Sequence, residues 1–169
     1  MQQKETINTE QLTDVFDLPP QGRIIAVDPG TKRCGIAICD ELRITTRPLD
    51  VIDRTSWKKL LSIVKQIVSE YDAIALVMGL PLESDGTESE MSAEARRMAQ
   101  NFGLSLSIPV FLQDERVTSY EAKARLWQRG TDLKTTRRLV DSEAAAIILS
   151  DFLDRPKAAT LPMSPAATE

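Results

Sequence analysis

The sequence predicts an α/β fold in which a five-stranded mixed sheet is flanked by helices. Segments with strand or helix periodicity follow one another in the order β-β-β-α-β-α-β-α-α, which favours a sheet covered by helices. The run AIALVMGLP is apolar throughout, as is typical of a central strand that is covered on both faces. A chain of 169 residues, 42% of them hydrophobic, suits one domain with an ordinary aliphatic core.

The first three strands are predicted to form a meander. RIIAVD (23–28) and GIAICD (35–40) are rich in apolar and β-branched residues and are separated by a tight polar turn. A third strand is predicted over 44–52, ITTRPLDVI, where Pro48 indicates a sheet edge or a bulge because proline cannot donate a ladder hydrogen bond.

The middle of the chain predicts a helix, a strand and a second helix. Residues 56–71 carry apolar side chains at helical spacing behind a Thr55/Ser56 cap, and Trp57 is predicted to pack in the core. The apolar run 73–81 is the predicted central strand. A polar loop without basic residues separates it from a helix around 91–103.

The last third predicts one strand and two helices. The segment IPVFLQDER (108–116) is the fifth strand and ends in charged residues. A helix over 118–130 is followed by a basic stretch, and the Ala/Ile/Leu-rich segment 139–153 is the final helix.

The two ends of the chain differ in composition from the predicted domain at 22–154. Residues 1–21 are polar and acidic and end near Pro-Pro, which predicts a flexible arm, while the Pro/Ala/Thr-rich residues 155–169 predict a disordered tail. The sequence shows no apolar run long enough to cross a bilayer and no signal peptide. We therefore expect a cytoplasmic protein without a membrane partner.

The composition excludes several kinds of catalytic site. The sequence has no histidine, which removes Ser-His-Asp and Cys-His catalysis and most zinc sites. Cys34 and Cys39 lie an odd number of residues apart on one predicted strand, so they should point to opposite faces and serve as core residues. Any chemistry must use carboxylates, Lys, Arg, hydroxyls or a hard cation.

Carboxylates at three places in the predicted fold suggest a metal site. Asp28 closes the first strand, Asp114 and Glu115 close the fifth, and Asp141 lies on the apolar final helix. Neighbouring strand ends meet at one sheet edge, and a divalent cation would relieve the repulsion between clustered carboxylates. Oxygen ligands favour Mg²⁺ or Mn²⁺ and point to phosphodiester or phosphoryl chemistry.

Each of these acids also has a simpler interpretation. Asp28 precedes Pro-Gly and, taken alone, is more typical of a turn residue than of a ligand. Glu115 could pair with a basic neighbour on the surface. Asp141 could be a surface acid, although Ala145 and Ile148 place its side of the helix inward.

Charge is distributed unevenly along the chain. The net charge is −4, yet residues 116–138 hold seven basic and two acidic residues, a local excess of +5. Such a stretch can be a solvated helix face or can attract the phosphates of nucleic acid. Lys32 and Arg33 in the first turn, and Arg116 beside Glu115, are candidates for binding phosphates that flank a cleavage site.

Four motifs occur in an order that resembles a known family. DPGTKRCGIA, MGLP, DERVTS and VDSEAA, between about residues 23 and 153, are similar to the motifs of the YqgF family. These RuvC-related proteins have the RNase H-like fold and are described as Holliday junction resolvases or pre-16S rRNA nucleases. Four motifs at suitable spacing are much more specific than a single DxGT.

The resemblance implies a divalent-metal-dependent nuclease. Asp28, Glu115 and Asp141 match the family's acidic positions and are the implied catalytic and metal-binding residues, with Mg²⁺ or Mn²⁺ as the ion. Hydrolysis with one or two metals needs no protein nucleophile, which suits a chain without histidine. The domain at 22–154 is then an RNase H-like nuclease domain.

The nucleic acid that is cleaved remains open between two classes. Processing of the 5′ end of precursor 16S rRNA in ribosome biogenesis is the function that the resemblance favours. The alternative is Holliday junction resolution in DNA recombination and repair. A resolvase should form a stable dimer, whereas no apolar helix face is left over for one, so we expect a monomer or weak homodimer acting on structured RNA or branched DNA.

Two further functions are compatible with parts of the sequence. The DPGT turn also resembles the phosphate-binding hairpin of the actin and sugar-kinase class, but the second glycine-rich phosphate motif of those ATP-binding proteins is absent from this sequence. A non-catalytic nucleic-acid-binding module could keep the same fold and use its carboxylates structurally. Failure to bind ATP would exclude the ATP-binding function. A divalent-cation titration would distinguish the non-catalytic module from the nuclease.

Overall fold

The structure, a computed structural model, describes residues 18–115 and 133–159. These residues form six strands and three helices. In chain order they are β1 (Ile24–Pro29), β2 (Arg33–Cys39), β3 (Thr46–Pro48), β4 (Ile52–Asp53), α1 (Trp57–Glu70), β5 (Ala75–Leu80), α2 (Glu90–Ser105), β6 (Val110–Asp114) and α3 (Leu133–Ala159). The predicted helix over 118–130 lies outside the described residues.

All six strands belong to one mixed sheet with the order β3-β2-β1-β5-β6, and β4 also pairs with β2. Strand β1 is antiparallel to β2 and parallel to β5, and β5 is parallel to β6. Because β1, β5 and β6 run in the same direction, their carboxyl ends meet at one edge of the sheet. In open α/β sheets, this edge is where ligands usually bind.

Helices cover both faces of the sheet, and the alternation of strand residues divides the core into two parts. On one face, strand residues pack with side chains of α1 and α2. Buried members of that part include Ile25, Val27, Ile36, Leu76, Met78, Leu60, Val64 and Phe102. On the other face α3 packs, and the buried residues there include Ile24, Ala26, Ala37, Val77, Phe111, Ala145, Ile148 and Phe152.

Several local predictions are confirmed. The Ser56 side chain accepts a hydrogen bond from the Lys59 backbone N–H and caps α1. The Trp57 ring packs against Phe102 with 4.7 Å between ring centroids. The two cysteines are buried and free, Cys34 in the core under α1 and α2 and Cys39 in the core under α3.

The α/β class, with a mixed sheet flanked by helices, is confirmed, but the sheet has six strands rather than five. The predicted strand 44–52 is divided into β3 and β4, which pair with successive parts of β2. Pro48 offers no N–H at the end of β3, and the Asp50 carboxylate accepts a hydrogen bond from the Val51 N–H. The pairing with β2 shifts by one residue between Pro48, opposite Ala37, and Ile52, opposite Cys34, so one extra residue separates β3 from β4.

The final helix is longer than the sequence predicts. It begins at Leu133 rather than near residue 139, and its backbone continues to Ala159, so residues 155–159 of the predicted disordered tail are helical. Residues 160–169 and most of the predicted N-terminal arm lie outside the described residues. In the part of the chain that the structure describes, no helix has the length and apolar character that a bilayer crossing requires.

Candidate active site

Four residues form a row across the sheet near the edge where the carboxyl ends of β1, β5 and β6 meet. The register pairs Asp28 with Gly35 on β2 and pairs Gly79 with Gln113 on β6. The parallel pairing of β1 with β5 reaches Val27, so Asp28 comes next, beside Gly79. Val27 packs on the side of α1 and α2, whereas Ala26 packs on the side of α3. Because successive strand residues point to opposite faces, Asp28 faces α3. It therefore lies between two glycines on the face that α3 covers.

Gly35 allows the α3 backbone to lie directly on β2. A Cβ atom at this position would overlap with the carbonyl oxygen of Asp141 and would lie 3.1 Å from the Ser142 nitrogen. Any side chain would push the helix away, because the neighbouring atoms are backbone and cannot rotate aside. The absence of a side chain at Gly35 thus brings Asp141 next to the strand pair that carries Asp28.

Gly79 makes room for the carboxylate of Glu115. A Cβ atom at Gly79 would overlap with Glu115 Oε2 and would lie 2.8 Å from Ile148 Cδ1. Glu115 is the first residue after β6, and its N–H donates to the Leu80 carbonyl at 3.3 Å. Its side chain returns across β5 and reaches Asp28 on β1.

Asp28 and Glu115 form a hydrogen-bonded carboxyl pair with strongly perturbed acidity. Burial raises the pKa of Glu115 to about 9, and the charge of Asp28, the hydrogen bond with it and the charge of Asp114 act in the same direction. Burial also raises the pKa of Asp28 to about 6, while its hydrogen bond with Glu115 opposes the rise and the charge of Asp141 adds to it. Without a cation, the pair holds one shared proton at neutral pH.

Asp141, the third predicted acid, is near this pair but has a cationic partner. The Arg33 Nε atom donates to Asp141 Oδ2 at 2.9 Å, and both side chains are 29% exposed. The charge of Asp141 still raises the pKa of Asp28. Within residues 18–115 and 133–159, no three Cys, Asp or Glu side chains are already arranged as a metal-binding group.

The predicted phosphate-binding residues have different surroundings. Lys32 is exposed at the turn between β1 and β2, whereas Arg33 is partly buried against Asp141. Arg116 lies outside the described residues. Arg138, in the predicted basic stretch, lies 3.4 Å from an Asp53 oxygen and 3.7 Å from an Asp50 oxygen, so acidic residues offset its charge.

The site also contains a residue that the sequence analysis did not single out. Arg54 donates to the Gly30 carbonyl at 2.7 Å and to Glu94 on α2 at 2.6 Å, and its N–H donates to the Lys32 carbonyl at 2.8 Å. It thereby holds the β1–β2 turn against α2. Nothing local in the sequence distinguishes it from other arginines, because its partners lie more than 20 residues away along the chain.

Gln113 is the second residue that the sequence analysis missed. Its side-chain nitrogen donates to the Asp114 carbonyl at 3.3 Å, and its buried Oε1 atom has no hydrogen-bond partner among the residues that the structure describes. A sequence signal exists, because Gln113 is a polar residue at an inward-facing position of the VFLQD strand. It extends the polar row beyond Gly79.

The donor set fits a hard divalent cation. The three acids come from β1, from the end of β6 and from α3, and all of their side-chain donors are oxygen. The Glu115 side chain lies over Gly79, and its carboxyl group is thereby next to that of Asp28. Carboxylates in such an arrangement are suitable ligands for Mg²⁺ or Mn²⁺.

Comparison with known protein families gives one match over most of the chain. The sequence profile of the RuvX family, described as Holliday junction resolvase, matches residues 22–155. The match includes all three acids and the turn that carries Lys32 and Arg33.

Curated relatives match over similar lengths. A protein of Anaeromyxobacter sp. (strain K) named "Putative pre-16S rRNA nuclease" is 40% identical over 133 residues, which are 79% of this chain and 97% of the relative. A protein of Dechloromonas aromatica (strain RCB) with the same name is 33% identical over 146 residues, 86% of this chain and 99% of the relative.

Solved structures give more distant matches. The RuvC protein of T. thermophilus in complex with a Holliday junction substrate has a TM-score of 0.48 and 17% sequence identity, over 79% of this chain and 96% of that chain. The Holliday junction resolvase of fowlpox virus also has a TM-score of 0.48, at 12% identity, over 80% of this chain and 99% of that chain.

Proposed function

Because the chain belongs to the RuvX family, whose profile matches residues 22–155, we propose that it is a nuclease that hydrolyses phosphodiester bonds with Mg²⁺ or Mn²⁺. Asp28, Glu115 and Asp141 are the proposed metal ligands. The family resemblance inferred from the four sequence motifs is confirmed by this membership. The nuclease class agrees with the names of the relatives that are 33% to 40% identical.

The observation that carries the proposal is the partly buried, hydrogen-bonded carboxyl pair. Asp28 and Glu115 face each other across Gly79, although a carboxyl pair is unfavourable where it is buried. Two carboxylates whose pKa values are both raised are typical of functional sites rather than of the surface. A divalent cation would turn this repulsion into attraction.

The residues of the site would have different roles in hydrolysis. The bound cation would supply an activated water and would stabilise charge on the leaving oxygen. Glu115 must first lose the proton that it shares with Asp28, so we expect cation affinity to increase with pH. Asp141 would complete the ligand set from the α3 side, and Gly79 keeps the space above the sheet free for the carboxylates.

Positive charge near the acids supports a nucleic-acid substrate. Lys32 and Arg33 belong to the turn and strand next to Asp28, where they can bind phosphates that flank the scissile bond. Arg116, which follows Glu115 directly in the sequence, is proposed for the same role. Contacts of this kind make affinity depend on salt concentration, because each contact releases counterions.

The proposed substrate is the 5′ end of precursor 16S rRNA, and the place of action is the cytoplasm. The names of the curated relatives favour this substrate. The family description favours a second candidate, the resolution of Holliday junctions in DNA. The first activity is compatible with a monomer or weak homodimer, whereas the second requires two active sites and hence a stable dimer.

A parallel cleavage assay tests the proposal. A structured fragment of precursor 16S rRNA and a four-way DNA junction are each incubated with wild type and with Glu115→Gln, in Mg²⁺, in Mn²⁺ and in EDTA. We expect metal-dependent cleavage of the rRNA fragment by the wild type and at least 100-fold slower cleavage by the variant, because the variant loses a charged ligand.

The other outcomes discriminate between the candidates. Cleavage of the junction alone, in symmetrically placed strands, would favour the resolvase. Binding of both nucleic acids without cleavage, and without any effect of Mg²⁺ or of Glu115→Gln, would contradict the nuclease proposal and favour a non-catalytic binding module.

A further inference from the structure

Arg33 and Asp141 are each proposed for a role with which their contact in the structure competes. Arg33 is the proposed phosphate-binding residue, yet its Nε atom is hydrogen-bonded to Asp141 Oδ2 at 2.9 Å. Asp141 is the proposed third metal ligand, yet it faces the guanidinium group instead of completing a ligand set with Asp28 and Glu115. The contact occupies one donor of Arg33 and one acceptor of Asp141, so it competes with both roles.

The backbone around this ion pair is held in place, whereas the two side chains have room to move. The Asp141 carbonyl lies against Gly35, so the helix cannot slide along β2 without losing this close packing. Arg33 is the first residue of β2, and Arg33 pairs with Asp53 in the antiparallel ladder to β4. Both side chains are 29% exposed, so a change of rotamer can separate them without moving either backbone.

The charges of the site favour such an exchange. In the structure, Arg33 forms an ion pair with Asp141 and thereby compensates one of the three acids. A divalent cation brings twice that charge to the same carboxylate and also engages Asp28 and Glu115. Once Asp141 turns to the metal, the guanidinium group loses its anionic partner beside a site that binds a phosphodiester.

We propose that Arg33 exchanges partners, binding Asp141 when the site is empty and a substrate phosphate when the site holds its cation. This inference rests on the proposed function, because it requires Asp141 to be a metal ligand. Arg33 competes with the cation for Asp141, and Asp141 competes with the phosphate for Arg33. Cation binding and nucleic-acid binding should therefore strengthen each other. Such coupling is reciprocal.

Cation affinity in the absence of nucleic acid tests the first half of the exchange. Mn²⁺ is titrated calorimetrically into the full-length protein, as wild type, Arg33→Gln, Asp141→Asn and the double variant. We expect Arg33→Gln to bind Mn²⁺ roughly three- to tenfold more tightly, the range expected for losing a competing, partly exposed ion pair. The gain should disappear when Asp141→Asn is also present.

Two variants control for charge and for folding. Lys32→Gln removes the same charge from the neighbouring, exposed residue and should change Mn²⁺ affinity less than twofold, an estimate for a screened surface charge. Arg33→Lys keeps a cation beside Asp141 and should bind Mn²⁺ nearly as the wild type does. Thermal melting of each variant in EDTA verifies that it is folded.

Nucleic-acid affinity tests the second half. A labelled four-way junction is titrated with wild type and with Arg33→Gln, in EDTA and in Ca²⁺. The wild type should bind the junction several-fold more tightly in Ca²⁺, and Arg33→Gln should lose most of this gain.

The results separate failure of the exchange from failure of the proposed function. If Mn²⁺ binds the wild type and needs Asp28 and Asp141, but Arg33→Gln binds it no more tightly than Lys32→Gln does, the exchange is wrong and the metal site stands. The exchange is also wrong if Arg33→Gln keeps the full Ca²⁺ effect on junction binding. If Mn²⁺ binding is undetectable, or is unaffected by Asp28→Asn, both proposals are wrong.

Discussion

Asp28 and Asp40 occupy similar places in the sequence and opposite situations in the structure. Each closes one of two antiparallel neighbouring strands, Asp28 near the end of β1 and Asp40 directly after β2. Asp40 Oδ1 accepts hydrogen bonds from the N–H groups of Thr45 at 2.6 Å and Ile44 at 2.8 Å, and from the Thr45 hydroxyl at 3.1 Å. Asp28 instead faces Glu115, another acid.

The acidity of the two carboxyl groups shifts in opposite directions. Hydrogen bonds, first of all from the Thr45 backbone, lower the pKa of Asp40, whereas burial raises the pKa of Asp28 to about 6. Asp40 therefore stabilises the turn that it begins, and Asp28 makes the folded protein less stable when no cation is bound. Partners, rather than position at a strand end, distinguish the acid that stabilises a turn from the acid proposed for the active site.

The largest expected difference between the two acids is in the cleavage rate, when each is replaced by the amide of the same shape. Asp28→Asn should slow metal-dependent cleavage at least 100-fold, because the site loses a charged ligand. Asp40→Asn should leave the cleavage rate within about twofold, because it lies at the far end of β2 from the site. Initial rates on the same precursor-rRNA fragment check both, and similar losses in the two variants would contradict the comparison.

Gly79→Ala should disturb the carboxyl pair through packing alone. The added methyl group would overlap with Glu115 Oε2 and crowd Ile148, which should cost about 1–3 kcal/mol of unfolding free energy and weaken cation binding. Gly103→Ala is the matched control, because a Cβ atom there would have no neighbour within 4 Å among the described residues beyond its own turn of the helix. In helix α2 that control should be neutral or should stabilise by up to about 1 kcal/mol. Urea unfolding in EDTA and cation titration check both; equal stability of the two variants would exclude the role of Gly79.

The stability of the cation-free protein should fall as pH rises. The folded-state pKa values of about 6 for Asp28 and about 9 for Glu115 lie above ordinary carboxyl values, so the folded state holds more protons than the unfolded state between about pH 4 and 9. The contribution of the pair is thus fully present below about pH 4 and is lost as pH rises through the folded values.

Urea unfolding in EDTA between pH 5 and 9 measures this dependence. We expect a decline on the order of 2 kcal/mol, given the partial exposure of the pair. The decline should be smaller in Asp28→Asn, and Mg²⁺ should reverse it at the higher pH values by binding the ionised pair. A pH-independent difference between wild type and Asp28→Asn would contradict the shared proton.

The smallest expected effect is a change in thermal stability when Asp40 is replaced. Asp40→Ala removes the acceptor for three hydrogen bonds at the β2–β3 turn and should lower Tm by roughly a few degrees, since the turn is exposed to water. Mn²⁺ affinity should be unchanged. Differential scanning calorimetry and cation titration measure the two quantities, and a change in Mn²⁺ affinity would show that the two ends of β2 are coupled.

Much of the fold could be predicted because periodicity is a local property. The apolar, β-branched runs of β1 and β2 and the Ser56 cap depend on neighbouring residues, so the sequence alone locates them. The division of 44–52 into two strands was missed because it depends on which part of β2 each piece pairs with. The full length of α3 was missed because its ends lack the apolar pattern that identifies its centre.

The members of the candidate site could be proposed from the sequence, whereas their arrangement could not. Asp28, Glu115 and Asp141 were chosen from strand ends and from family motifs, and the structure brings the first two into contact. The pairing of Asp141 with Arg33 joins residues 108 positions apart, and no local pattern predicts it. Their roles in catalysis remain a prediction that the experiments above address.

The sequence by itself determined the class of chemistry. A chain without histidine is restricted to chemistry that uses carboxylates, Lys, Arg, hydroxyls or a hard cation, and acids at strand ends with four family motifs in order favour the carboxylates. These are properties of residue type and local order, which do not depend on distant contacts.

Only the tertiary structure decided how those acids are held. Gly35 and Gly79 are ordinary strand glycines in the sequence, and their importance comes from α3 lying against one and Glu115 against the other. A close approach between distant segments depends on where the backbone of each is placed, and packing of the whole core sets that placement. For the same reason, the structure alone distinguishes the acid pair at Asp28 from the turn at Asp40.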